Sequence, residues 1–403
     1  MPTSKPNTQT EAAGTTATRP RSDTLSPDAH PPWQRRAGGS GNSAHNLSRY
    51  LSSSSQTVRA AARTTIFFLK VLPMLPSGAL RWVTPRPVVE RMTYPTLRGQ
   101  AQGDLYRPAT PGPHPAVVVC LGVVPFDVEH PQVPRLGEAL ARAGFAALLY
   151  WSPAMRDLRL DEEDIENIAL AYDKLIQQPY VDPRRSGLLG TCVGGSFALM
   201  AAAHPRIRAR LGFVAAFAPY AAMSTLAAGV ASATRATGAG REHWPVDQLT
   251  RAVYVRSLTA ELDPIEAELL RNSHAASADA LSESARLIAP LLDTLAPDEA
   301  EAALRQLPTP MRARLQRLSP VTYLGDICAP LILIGHDRDD NVIPVAESRQ
   351  LAALLAGRPG LRYTEFGMFQ HADPTKKKLP LPRLLRELGK FYCYAYPIFR
   401  QAA

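Results

Sequence analysis

The chain has 403 residues, 45% of them hydrophobic and 7% aromatic, which are ordinary values for a globular protein that buries a large core. The formal net charge is +9, but residues 1–63 hold eight Lys or Arg against three Asp or Glu, and no nucleic-acid-binding motif accompanies the charge. We therefore expect no nucleic-acid partner and assign the charge to solubility or to attraction by an anionic membrane surface.

The first 56 residues are rich in Ser, Thr, Pro, Ala and Gly and almost free of aliphatic side chains, so we expect them to be disordered. An apolar entry segment follows at 57–87. It carries Lys70, two prolines and a glycine, which make it a poor transmembrane helix. The segment either packs against the body of the protein or makes a peripheral membrane contact through residues 65–84, and its interruptions favour packing.

Strand and helix patterns alternate from residue 88 onward. Fully apolar strands such as 116–121 indicate a parallel sheet that is covered on both faces. The predicted strands are 88–93, 103–106, 116–121, 145–151, a strand ending at Gly190, 211–217, 331–335 and 361–366, and the predicted helices of the core are 136–143, 164–177, 197–204, 345–356 and 381–394. This order predicts a doubly wound, mostly parallel α/β sheet, opened by an antiparallel hairpin.

About a hundred residues interrupt this alternation. The predicted helices there are 246–262, 264–274, 278–295, 297–307 and 309–318, with almost no strand pattern. We interpret 221–320 as a helical cap over an active site, with a merely decorative insertion as the alternative. The core then has two parts, residues 88–220 and 321–403.

A strand-to-helix turn at Cys192 carries the most specific motif. Gly190 and Gly194 flank the cysteine at two residues on either side, and Gly195 follows. This frame predicts a nucleophile elbow, in which the sulfur lies at a helix N-terminus that favours a thiolate. The alternative is that Cys192 is a small buried hydrophobic residue.

The pattern Gly-x-Cys-x-Gly-Gly resembles the dienelactone hydrolase family of α/β-hydrolases, and it also resembles the box of the polyhydroxyalkanoate synthases. Both resemblances imply an α/β-hydrolase fold. Dienelactone-cleaving relatives carry a glutamate where this chain has Gly122 and lack a large cap, so the resemblance does not extend to dienelactone as substrate.

A cysteine nucleophile needs a histidine base and a carboxylate that orients it. The chain order of this fold is nucleophile, acid, histidine, and Cys192, Asp340 and His371 satisfy it. Asp337 and Asp339 are alternatives to Asp340 because they lie on the same loop.

The family resemblance implies an oxyanion hole formed by the backbone amides of Val193 and Val123. No metal-ligand cluster or Gly-rich phosphate loop is found in the sequence, so we expect no cofactor and no metal. The four cysteines have no paired spacing and no secretory segment follows Met1, which predicts a cytoplasmic location, possibly peripheral to a membrane.

Three functions remain open. The first is a hydrolase that cleaves a small-molecule ester, lactone or thioester through an acyl-cysteine intermediate. The second is an acyltransferase that resembles the polyhydroxyalkanoate synthases, although these place Gly before the catalytic His and this chain has Gln370 before His371. The third is a non-catalytic binding protein with a hydrolase-like body.

Overall fold

The computed structural model describes residues 41–123, 131–272, 281–371, 377–401 and 403, with side chains from Ser55 onward. The contacts divide the chain into two units, Met1–Ser52 and Ser53–Ala403. In the first unit only the start of a helix is described. Every feature of the candidate site lies in the second unit. Residues 1–40 of the expected disordered tail lie outside the described residues.

The strands are β1 (Val88–Thr96), β2 (Gly99–Arg107), β3 (His114–Cys120), β4 (Ala146–Tyr150), β5 (Val181–Thr191), β6 (Phe213–Phe217), β7 (Thr234–Thr237), β8 (Gly240–His243), β9 (Ile332–Asp337) and β10 (Leu361–Phe366). The helices are α1 (Gly41–Val71), α2 (Leu80–Val83), α3 (Gln132–Arg142), α4 (Pro153–Arg156), α5 (Glu163–Ile176), α6 (Val193–Ala202), α7 (Met223–Ser232), α8 (Gln248–Leu258), α9 (Pro264–Asn272), α10 (Glu283–Ile288), α11 (Pro297–Gln306), α12 (Thr309–Arg317), α13 (Val345–Leu354) and α14 (Leu381–Gln401).

One sheet has eight strands in the order β1-β2-β4-β3-β5-β6-β9-β10. The pairs β1–β2 and β2–β4 are antiparallel, and the other five neighbouring pairs are parallel. The mostly parallel sheet with its opening hairpin confirms the fold class predicted from the sequence. The protein has the α/β-hydrolase fold.

Strand β3 shows why the sheet needs a helical layer on each side. All seven of its residues are buried, and successive side chains point to opposite faces. Ala116 and Val118 belong to the apolar core shared with α5 and α6. Val117 and Val119 belong to a second core, shared with α1, α3 and α14. Strand β3 is therefore packed between two apolar cores, one on each face of the sheet.

The entry segment packs on the body of the second unit. Phe67 and Phe68 of α1 are each 6% exposed, and their rings lie 5.1 Å from Phe399 and 4.8 Å from Phe391 of α14. Helix α1 begins at Gly41, so the expected end of the tail at residue 56 falls inside a helix. The physical reason is that residues 41–71 contain no proline, and serine is compatible with a helix that is fixed by packing at its far end. Among the described residues, no helix is both long and apolar enough to cross a membrane.

The insertion at 221–320 is helical but also contains the hairpin β7–β8, which is a two-stranded sheet of its own. The expectation of almost no strand pattern was therefore wrong. The strands have four residues each and are half-buried or exposed, so they lack the apolar alternation that marks a strand. Part of the expected helices at 264–274 and 278–295 lies outside the described residues.

Candidate active site

Cys192 occupies the turn between β5 and α6. Its backbone has φ 58° and ψ −140°, a strained conformation for a residue with a side chain. A Cβ on Gly190 would lie 2.2 Å from the carbonyl oxygen of Gly194, and a Cβ on Gly194 would lie 2.3 Å from that of Cys120. Only glycine fits at these two positions, because the elbow, its helix and strand β3 approach one another so closely.

His371 lies between Cys192 and Asp340. Its Nδ1 donates a hydrogen bond of 2.8 Å to Oδ2 of Asp340, and the side chain of Cys192 is close enough to the ring to raise the pKa of His371. His371 and the preceding Gln370 both have positive φ, 75° and 44°. These two left-handed residues turn the loop after β10 back toward the elbow. The structure therefore brings the three sequence-predicted residues together, with His371 next to both Cys192 and Asp340.

Asp340 is completely buried and is held by its own loop. Its Oδ1 accepts hydrogen bonds from the amides of Val342 at 2.7 Å and Ile343 at 3.0 Å. The other oxygen, Oδ2, lies 3.4 Å from Nε2 of the buried His336 in addition to its bond with His371. This leaves the carboxylate in a fixed orientation toward the imidazole of His371.

The two alternative acids have other partners. Asp339 forms an ion pair with Lys377, and its side chain is 56% exposed. Asp337 is buried and accepts hydrogen bonds from the amides of Asp339 and Phe369, at 3.0 and 2.6 Å. Asp337 thus links the acid loop to the histidine loop. Among these three aspartates, all of them described, Asp340 is the one that is hydrogen-bonded to His371.

Neighbouring charges shift the pKa of both His371 and Asp340. Burial opposes the charge on His371, but the charges of Cys192 and Asp340 and hydrogen bonds with both outweigh it and hold the pKa of His371 well above its usual value. Burial alone would raise the pKa of Asp340, but the charge of His371 and hydrogen bonds with His336 and His371 lower it well below its usual range. Asp340 is therefore ionised next to a histidine that favours its protonated form.

The two residues expected to form the oxyanion hole, Val193 and Val123, line the same cavity as Cys192. Val193 is the first residue of α6, where backbone amides have no partner within the helix. Val123 follows Gly122, whose φ is 73° and on which a Cβ would lie 2.9 Å from the amide nitrogen of Gly194. The loop after β3 thus touches the first turn of α6. Residues 124–130, which continue this loop, lie outside the described residues.

A narrow apolar cavity opens at Cys192. Its volume is about 80 Å³. Val123, Val193 and Cys192 line it from the core, and most of the remaining lining comes from the insertion, chiefly α7, α8 and α12. The lining residues with a polar group in the side chain, other than Cys192, are Thr250, Tyr254, Ser257, Glu261 and Arg314, and the Tyr254 hydroxyl donates to the carbonyl oxygen of Leu291. Among the described residues, no group of three or more His, Cys, Asp or Glu side chains is placed to hold a metal ion.

Three residues that sequence reasoning did not assign to the site contact the acid or its loop. His336 approaches Asp340, Arg235 donates a 3.2 Å bond to the carbonyl oxygen of Asp340, and Trp244 donates a 2.8 Å bond to that of Asn341. Arg235 and Trp244 come from the region of the hairpin β7–β8, about a hundred positions away in sequence. No local pattern signals such a contact, whereas His336 lies only four residues before Asp340 in the sequence.

Comparisons with known proteins do not assign this chain to a family. No protein-family model matches the sequence. A stretch of 124 residues is 35% identical to a probable 2-oxo-3-(5-oxofuran-2-ylidene)propanoate lactonase from Bradyrhizobium sp. and covers 27% of this chain and 49% of that protein. The match thus spans about half the length of this curated relative.

Solved structures with a similar backbone include the 2,6-dihydroxy-pseudo-oxynicotine hydrolase, at 17% identity and a TM-score of 0.47, over 78% of this chain and 68% of that one. Another is the alpha/beta hydrolase GrgF from Penicillium sp. sh18, at 14% identity and a TM-score of 0.47, over 78% of this chain and 99% of that one. At these values the two structures carry no information on activity.

Proposed function

We propose that the protein is a thiol hydrolase of esters, lactones or thioesters, in which Cys192 is the nucleophile, His371 the general acid and base, and Asp340 the residue that orients His371. The observation that carries this proposal is the placement of His371 next to Cys192 and in a hydrogen bond with the buried Asp340, with Cys192 in a strained elbow. The partial likeness to a lactonase supports the same reaction class.

The first half-reaction forms a thioester and releases the alcohol, enol or thiol. The thiolate of Cys192 attacks the carbonyl carbon, and the amides of Val123 and Val193 stabilise the developing oxyanion. His371, protonated next to the ionised Asp340, gives its proton to the leaving group as the carbon–oxygen or carbon–sulfur bond breaks. Asp340 holds Nδ1–H of His371, so the proton in transit is the one on Nε2.

The second half-reaction uses water. His371, now neutral, removes a proton from a water molecule, the resulting hydroxide attacks the acyl carbon, and the thioester bond breaks to give the acid and the Cys192 thiolate. The apolar lining contributed by the insertion supports its role as a cap that limits water access and contacts the hydrocarbon part of the acyl group.

The test is a panel of nitrophenyl esters, lactones and acyl-thioesters with the wild type and Cys192→Ala, and with Cys328→Ala as matched control. Cys328 is exposed and lies outside the site, so the control should keep full activity. The expected result is release of free acid, abolished only by Cys192→Ala. Transfer of the acyl group to an added alcohol or thiol would instead indicate an acyltransferase, and no turnover of any substrate would indicate a binding protein.

A further inference from the structure

Two charged side chains, those of Arg314 and Glu261, line the apolar cavity at Cys192. Arg314 of α12 is only 11% exposed, although a guanidinium stays charged at any physiological pH. The other cavity residues contributed by α7 and α12 are hydrophobic. Burying a charge in such surroundings costs folding free energy unless the charge has hydrogen-bonding or oppositely charged partners, so we identify the partners of Arg314.

Arg314 has hydrogen-bond acceptors for its N–H groups, but only Glu261 among its partners carries a negative charge. Nη1 donates to the carbonyl oxygen of Ser257 and Nη2 to that of Leu160, both at 2.8 Å. Both acceptors are neutral. The charge is met by Glu261 at 3.2 Å from Nε, but the Glu261 side chain is 43% exposed and therefore partly screened by water.

These bonds fix the guanidinium in place without using all of it. The two hydrogen bonds engage one N–H on each of the terminal nitrogens Nη1 and Nη2, and Nε is in an ion pair with Glu261, whereas a guanidinium carries five N–H groups. Leu160, Ser257, Glu261 and Arg314 all line the same cavity as Cys192. A ligand in the cavity that carries an anionic oxygen would thus meet a preoriented cation in apolar surroundings, where a charge-assisted hydrogen bond is strong.

We propose that Arg314 is a specificity-determining residue that binds a carboxylate on the acyl part of the substrate, so that the preferred substrates are esters of dicarboxylic acids or lactones that carry a second, free carboxylate. This inference rests on the proposed function. The acyl part is the relevant one because it becomes covalently attached to Cys192, which lines the cavity. Glu261 competes with the substrate carboxylate for Arg314 and repels it.

The test compares two series of substrates, the mono-p-nitrophenyl esters of the dicarboxylic acids from succinate to sebacate and the p-nitrophenyl alkanoates of equal chain length. For the wild type, KM should be lower for the carboxylate ester at one chain length, which measures the reach from Cys192 to Arg314. Arg314→Met should raise that KM by about 10- to 100-fold and leave the ratio of kcat values between the series unchanged. Glu261→Gln should lower the same KM several-fold.

The matched control is Arg317→Met. Arg317 lies on the same helix but is half exposed and paired with Glu162, so this variant should not change the ratio of KM values between the two series. Arg314→Met also loses bonds to two carbonyl groups and should be less stable, but that loss affects both series alike. Equal KM values for the two series at every chain length in the wild type, or an unchanged ratio in Arg314→Met, would overturn the inference.

Failure of the proposed function is a separate result. If the wild type hydrolyses neither series, calorimetric titration with adipate and suberate replaces the kinetic readout. Saturable binding that Arg314→Met abolishes and Arg317→Met retains would uphold the inference without hydrolysis. Absence of binding by the wild type would overturn it.

Discussion

The close contacts of Gly194 in the elbow predict that replacing it destabilises the protein, and the neighbouring Gly195 provides a matched control. Gly194→Ala would place a Cβ 2.3 Å from the carbonyl oxygen of Cys120 and 2.4 Å from the amide nitrogen of Gly122, both of them backbone atoms. Gly195→Ala would place a Cβ no closer than 3.3 Å to any atom outside its own turn of helix. Both glycines lie in α6, so alanine brings the same gain in helix propensity, up to about 1 kcal/mol, in each variant.

Subtracting one variant from the other therefore isolates the overlap with the end of β3. Overpacking of this kind costs about 1–3 kcal/mol, so Gly194→Ala should be less stable than Gly195→Ala by that amount. Its activity should also fall further, because the loop that must shift carries Val123. Urea unfolding followed by tryptophan fluorescence, with ester hydrolysis on the same samples, measures both. Equal unfolding free energies for the two variants would refute the steric reasoning.

Further predictions concern the partners of Cys192 and the anchoring of the insertion. Asp340→Asn should lower turnover by at least about 100-fold because His371 loses its orientation, whereas Asp339→Asn should leave steady-state kinetics nearly unchanged. His371 contributes stability that is complete below its unfolded pKa of about 6.5 and is lost as pH rises through its raised folded pKa, so the unfolding free-energy difference between wild type and His371→Gln should be larger near about pH 6 than near about pH 10. Glu347→Ala should cost about 1–3 kcal/mol of unfolding free energy by leaving the amides of Ala221 and Ala222 without their carboxylate acceptor, and Glu347→Gln should cost less.

Much of the fold follows from local sequence, because the central strands are apolar on both faces and the helices between them are periodic. Strand β3 and strand β4 are predicted to within a few residues for this reason. The hairpin β7–β8 was not predicted, since its short strands depend on their pairing with each other and not on burial. Helix α1 begins earlier than the composition suggested. Its C-terminal part is held by contacts of Phe67 and Phe68 with Phe399 and Phe391, which are far away in sequence and so are not visible in local composition.

The candidate site shows the same limit. Chain order and the glycine frame identify Cys192 and His371, but sequence alone leaves Asp339 and Asp340 as neighbours on one loop. Only the fold separates an exposed carboxylate beside Lys377 from a buried one beside His371. The contact between Arg314 and the cavity is likewise invisible in sequence, because α12 reads as a polar surface helix.

The most direct test of the proposed nucleophile is to quench the protein with acid during turnover of a slowly hydrolysed nitrophenyl ester and to map the acyl group by peptide mass spectrometry. The proposal predicts the acyl mass on the peptide that contains Cys192, its loss in Cys192→Ala, and slower formation in His371→Ala. Cys120 should stay unmodified, because it is buried and burial raises the pKa of its thiol. Acyl groups spread evenly over the four cysteines, or ester turnover that survives Cys192→Ala, would contradict the proposal.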